Sequence, residues 1–266
     1  MRIALGIEYN GSQFCGWQCQ TNADTVQERL ENAISTVANT PIKVIVAGRT
    51  DTGVHANEQI VHFDCDNHRE LKAWVMGANS NLPNSISVLW AKRVDDEFHA
   101  RFSAQSRRYR YVIYNHAVRP ALLDKLVTWE YAALDAQKMH HAAQHLLGTH
   151  DFTSYRTVAC QANSPIRTIE EITLSRQNEI VLMDICANAF LHHMVRNIMG
   201  VVMAIGKGEQ GEDWSLEVLK NCDRTLGGKT APADGLYLVK VQYDEKFGLD
   251  SRIRWPAITG EKIKDK

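Results

Sequence analysis

Ile3, Leu5, Ile7 and Tyr9 alternate with smaller or polar residues, which predicts a strand over Arg2–Tyr9. Thr25-Val26-Gln27-Glu28 has the form of a capping box, and Val26, Leu30, Ala33, Ile34 and Val37 then share one helical stripe. The β-branched run Ile42–Val46 and the stretch Gln59–Phe63 predict two strands. Leu71, Trp74, Val75 and Ala78 mark a second helix, and Ile86–Val94 a further strand. The order is βαββαβ, and it repeats. Arg107–Tyr114 alternates as a strand, and Met139, Ala142, Ala143 and Leu146 form a helical stripe. Arg167–Arg176 and Ile180–Ala187 are strands parted by a turn at Gln177-Asn178. Leu191–Gly206 is a helix, and Gly235–Tyr243 a closing strand.

Two such units predict an α+β fold of two tandem split-βαβ (ferredoxin-like) modules. Their sheets would be mainly antiparallel with helices on one face, and a large ligand would lie in a catalytic cleft between them. The expected modules are 1–104 and 105–248, with the boundary near Phe98–Gln105. Residues 249–266, with Arg252, Arg254, Lys262, Lys264 and Lys266, look like a frayed polar tail.

The 266 residues, 44% hydrophobic and 23% charged, have the composition of a globular chain. The 30 Lys+Arg against 31 Asp+Glu argue against a protein that coats DNA, although a local basic patch would not show in that sum. Cys15, Cys19, Cys65, Cys160, Cys186 and Cys222 contain no CxxC pair and read as reduced thiols. No N-terminal run has the length of a signal peptide. The longest apolar run, Ile198–Gly206, is far short of the roughly 20 residues that span a bilayer. The expectation is a soluble cytoplasmic protein.

The densest chemistry lies in Gly48-Arg49-Thr50-Asp51-Thr52-Gly53-Val54-His55-Ala56, between the two strands of the first module. A polar turn whose Asp accepts from its own backbone is one reading. The other is a functional carboxylate, with Arg49 close enough to Asp51 to hold it ionised for use as a nucleophile or base. In Ser106-Arg107-Arg108-Tyr109-Arg110-Tyr111 the tyrosines point to one face and Arg108 and Arg110 to the other. That pattern suits stacking on unpaired bases and holding phosphates, and equally a core strand with basic solvent positions.

Arg196 enters early in an apolar helix and needs either an anionic partner such as Asp51 or a route to the surface. His192-His193 would diverge on a helix; His141 and His145 could share a face, but nothing completes a zinc pattern, so no metal is expected. There is no phosphate-binding Gly-rich loop, dinucleotide fingerprint or Gly-x-Ser-x-Gly elbow.

Taken together, these strings resemble the TruA-type tRNA pseudouridine synthases over nearly the whole chain. The resemblance runs through Tyr9-Asn10-Gly11, Phe14-x-Gly16-Trp17-Gln18, Gly48–Ala56 and Phe98-His99-Ala100-Arg101-Phe102-Ser103-Ala104. It continues in Arg108–Tyr111, Phe190-x-His192-His193-Met194-Val195-Arg196-Asn197 and Gly235-Leu236-Tyr237-Leu238. Asn10 stands where the family usually has Asp, and Thr52 where it often has Ala.

The resemblance implies a cofactor-free, metal-free homodimer that isomerises uridine to pseudouridine at positions 38, 39 and 40 of the tRNA anticodon stem-loop. It also implies Asp51 as the catalytic aspartate, Tyr109 stacked on the target base, and Arg196 paired with Asp51. Arg49 would help extrude the nucleotide, and Leu236 would line the uracil pocket. Two other readings compete with this one. A non-catalytic RNA-binding module would leave Asp51 without a purpose, and a cofactor-free nucleoside hydrolase or small-molecule isomerase would not need the Arg-Tyr strand.

Overall fold

The computed structural model describes residues 1–158, 160, 162–250 and 252–259. They form two compact units, one of Met1–Gln105 with the chain from Tyr237 onward, the other of Ser106–Leu236. The α+β expectation holds in both.

In the first unit, β1 (Arg2–Tyr9) runs antiparallel to β3 (His55–Asp64) on one side and to β4 (Ile86–Val94) on the other. The two-residue β2 (Ile45–Val46) pairs antiparallel with β3, which is less strand than the run from Ile42 predicted. Helices α1 (Val26–Ala38) and α2 (Leu71–Asn81) pack against each other, and α2 lies against β4. The Thr25 hydroxyl caps α1 as its sequence required, accepting from Glu28 N at 3.4 Å.

The predicted alternation of β1 buries one face, but Ala4 is also fully buried on the other. Trp90 covers that second face at Gly6, where a Cβ would stand 2.2 Å from the indole nitrogen. The indole donates to Glu58, a residue only 3% exposed, at 2.7 Å. Arg254 joins the same carboxylate at 3.0 Å, while its amide donates to Val239 O. Residues 252–259 are therefore held against this unit rather than frayed; the lysines expected further along lie outside the described residues. The last strand, β10 (Leu236–Gln242), which the pattern assigned to the second module, pairs parallel with β3 through Tyr237–His55 and Leu238–Ala56.

The second unit is an antiparallel run of β7 (Gly148–Asp151), β8 (Ile166–Gln177), β9 (Ile180–Ala187) and β5 (Ser106–Asn115). The three-residue β6 (Thr128–Glu130) lies parallel to β5. Helix α3 (Ala136–Gln144) packs on β8 and on α4 (Met194–Gly206), and the short α5 (Trp214–Asn221) sits against both helices. The periodicity predicted α3 and α4 but not β6, β7 or α5. No helix among the described residues is long and apolar enough to cross a membrane, and the six cysteines are free thiols.

Candidate active site

Asp51 sits half-buried in the loop from Gly48 to Val54 that links β2 to β3. Its neighbour Thr50 turns inward, 7% exposed, and its hydroxyl meets the Tyr9 phenol at 2.7 Å. Burial pushes that phenol up to about 12, against the opposing hydrogen bonds from Thr50 and Gln59. The Thr50 carbonyl accepts from Trp17 N at 3.0 Å, and Gln59 Nε2 donates to Gly48 O at 2.7 Å.

Gly16, at φ 84°, lets the neighbouring loop approach: a Cβ there would lie 2.9 Å from Thr50 O and 3.1 Å from the Asp51 carbonyl carbon. On the far side Val54 N donates to Asp51 O at 3.1 Å across a turn that Gly53 allows with φ 82°. His55 then accepts from Gly11 N through Nδ1 at 3.0 Å, which puts the proton of the neutral ring on Nε2. Its ring stacks on Tyr237 with centroids 4.6 Å apart. The backbone on both sides of Asp51 is thus bound to buried groups, and its carboxylate has a set origin.

Arg49 departs from the sequence expectation. It is exposed on the outer arm of the loop and forms no ion pair with Asp51 or any other described carboxylate.

In the second unit the arginine–tyrosine strand is β5. Tyr109 is 7% exposed, with its ring edge-on to Phe190 at 5.1 Å and 88°. Tyr111 is fully buried, its hydroxyl shared between Thr128 Oγ1 and Pro232 O. The arginines are already partnered. Arg110 is 2% exposed and grips Asp184, its cross-strand partner on β9, at 2.7 and 2.6 Å. Arg108 pairs with Glu171 at 2.6 Å, and Arg107 donates to Asn188 O. Arg108 and Arg110 are thus engaged by carboxylates that β8 and β9 bring to them.

Arg196 lies in the first turn of α4. Its Nε donates to Ala231 O at 2.9 Å, and Ala231 N returns a bond to Arg196 O at 3.1 Å. The chain beside α4 is pressed so close that a Cβ at Gly200 would stand 1.7 Å from Lys229 O. Asn197, 2% exposed, secures the same region by donating to Tyr155 O and accepting from Arg224 and Thr230.

His193 takes φ 62°, a left-handed conformation costly for a non-glycine residue, and the His192 and His193 rings lie 4.2 Å apart. They precede the helix, so they do not diverge as two residues on it would. His141 and His145 reach toward α5 instead, at Glu212 and Ser215. Leu236 is 4% exposed, its amide donating to Ala233 O. The preceding Gly235 is required, since a Cβ would lie 2.3 Å from Val112 O.

Each predicted site residue thus has a defined place in its own unit: Asp51 and Arg49 in the first, Tyr109, Arg196 and Leu236 in the second. Sequence reasoning missed the Tyr9–Thr50–Gln59 support, because those residues meet only through the pairing of β1 with β3.

A family model described as tRNA pseudouridine synthase matches residues 6–103 and 142–244. A tRNA pseudouridine synthase A of Photobacterium profundum is 56% identical over 251 residues, covering 94% of this chain and 96% of that one. The protein of the same name from Legionella pneumophila is 53% identical over 262 residues, covering 98% and 100%. That of Vibrio vulnificus is 55% identical over 249 residues, covering 94% of each.

Proposed function

The chain belongs to the tRNA pseudouridine synthase family, isomerases that convert uridine to pseudouridine in tRNA, and on that premise we propose that it acts at positions 38, 39 and 40 of the anticodon stem-loop with Asp51 at its chemical centre. The reaction breaks the bond from N1 to C1′, turns the uracil, and joins C5 to C1′; the proton lost from C5 balances the one gained at N1. A carboxylate can serve by adding covalently to the nucleoside or by removing a ribose proton.

The observation that carries the assignment is the fixed backbone on either side of Asp51. Thr50 is tied to Tyr9 and Trp17, and Asp51 O accepts from Val54 N. A preset carboxylate keeps its geometry through the reaction without reorganising at the critical step. Tyr109 would stack on the target base and Leu236 would line the uracil pocket. Arg196, oriented by its bond to Ala231 O, would serve in substrate binding, and exposed Arg49 would help draw the nucleotide from its stack. The protein would work as a cytoplasmic homodimer without cofactor or metal.

The test is conversion of uridine to pseudouridine in purified unmodified tRNA by wild type, Asp51→Ala and Asp51→Asn, with filter binding alongside. The expected result is conversion by wild type alone, with binding kept in both variants. Normal turnover by Asp51→Asn would remove Asp51 from the chemistry. Tight binding by all three with conversion by none would leave an RNA-binding module.

A further inference from the structure

Arg108 and Arg110, which the sequence offered for phosphate contact, are ion-paired with Glu171 and Asp184. Arg167 and Arg156 differ from them. Arg167 is the second residue of β8, opposite His150 on β7. Its side chain is half-buried, and Nη1 donates to Ser164 O at 2.9 Å and Ile166 O at 2.6 Å.

Its Nε is buried and has no acceptor among the described residues, and no described carboxylate lies within ion-pair distance. The carboxylate of Asp151, close by in the ladder, is engaged as an acceptor for Thr153 N at 2.8 Å. Burial lowers the Arg167 pKa, with Cys160 opposing the shift.

Arg156 follows the 3-10 turn Thr153–Tyr155 and is also half-buried. Its side chain forms no ion pair with a described residue. The next amide, Thr157 N, donates to His192 O at 3.1 Å, and Phe152 N to Pro165 O at 3.2 Å. The first bond ties the segment of Arg156 to the stretch that leads into α4, and the second joins the end of β7 to the start of β8, beside Arg167.

A guanidinium does not escape partial burial by losing its proton, so removing it from water without an anion is a standing cost. A fork of donors whose backbone bonds orient it and whose anion is missing is a receptor for an anion. We propose that Arg167 and Arg156 bind phosphodiester groups of the tRNA backbone, outside the group that rearranges the uridine. The proposal rests on tRNA being the substrate. It adds a positioning contact that is independent of the sequence of the bound bases and acts on affinity rather than on the chemical step.

The experiment is filter binding of labelled unmodified tRNA to wild type, Arg156→Gln, Arg167→Gln, the double variant and Arg167→Lys over a series of potassium chloride concentrations. Single-turnover conversion at saturating enzyme and thermal melting accompany it. Each Gln substitution is expected to weaken binding several-fold and to flatten the salt slope by about one unit. Arg167→Lys should regain part of the loss, and the saturated conversion rate should stay at the wild-type value. Wild-type affinity and salt slope in a folded double variant would overturn the proposal. So would a lower melting temperature with unchanged binding, since that makes Arg167 a structural residue. An unaltered double variant beside a wild type that binds and converts tRNA sinks this inference alone, whereas a wild type that neither binds nor converts tRNA brings down the parent reading with it.

Discussion

The Tyr9 phenol and the Thr50 hydroxyl meet at 2.7 Å inside the first unit, one residue away from Asp51. The contact joins the end of β1 to the loop before β3, and Gln59 Nε2 stands 3.4 Å from the same phenol oxygen. Tyr9→Phe keeps the ring and its packing but leaves the buried Thr50 hydroxyl short of a partner. A lost buried hydrogen bond of this kind costs about 1 kcal/mol. The expected result is a small drop in melting temperature with a larger drop in kcat, while KM for tRNA stays near wild type. Equal falls in stability and activity, with a raised KM, would show that the contact serves the fold and not the placement of Asp51.

Gly16 makes a sharper demand on the same loop. A Cβ there meets Thr50 O at 2.9 Å while the backbone holds φ 84°. Gly16→Ala would therefore strain its own backbone, at about 1 kcal/mol, and displace the peptide bonds that flank Asp51. Conversion should fall by far more than tRNA binding does, with the protein still folded at the assay temperature. A variant of wild-type kcat would mean that the loop tolerates displacement.

The Arg110–Asp184 pair gives a prediction about stability alone. With Arg110 only 2% exposed, Asp184→Ala removes the two charge-assisted hydrogen bonds that its guanidinium makes to Asp184 and should cost about 1–3 kcal/mol, read by urea unfolding. Replacing both partners together with Leu and Val should cost less than the Asp184 change, because the donors and acceptors of the pair are then removed together. If the double replacement costs as much as the single one, packing rather than charge governs the site.

These cases show where local pattern stops being informative. The capping box at Thr25 and the alternation of Ile180–Ala187 depend on neighbours in sequence, and both elements lie where the pattern puts them. Period-two alternation also marks β10, yet nothing in Leu236–Gln242 says that its partner is β3, nearly two hundred residues earlier. Strands as short as Thr128–Glu130 carry no period at all. At the site, the pattern placed Arg108 and Arg110 on one face of β5 correctly but could not reveal the carboxylates that the register of β8 and β9 brings opposite them. Arg254 reads as a solvated tail charge until the fold sets it against buried Glu58. Asp51 was legible because its loop concentrates chemistry in one stretch; Tyr9, Gly16 and Gln59 were not, because their role exists only after β1 and β3 have paired.

The last prediction concerns acid. His62 is 1% exposed, and its Nδ1 accepts from Ala100 N at 3.1 Å, a bond that a protonated ring could not accept. Burial first, then the charges of Arg2 and His99, push its pKa down from 6.5 to about 4, with Asp64 opposing them. Above pH 6.5 the ring is neutral in both folded and unfolded chains and contributes no pH dependence. As pH falls below 6.5 the unfolded chain takes up the proton while the folded ring stays neutral to about 4, so stability declines across that window. Asp64, held low chiefly by its bond with Arg2, adds its own loss only below its ordinary 3.8. Urea unfolding of wild type should therefore weaken from pH 6.5 toward 4. His62→Gln, less stable at neutral pH, should lose most of that slope. An equal slope in both proteins would assign the acid sensitivity to other groups.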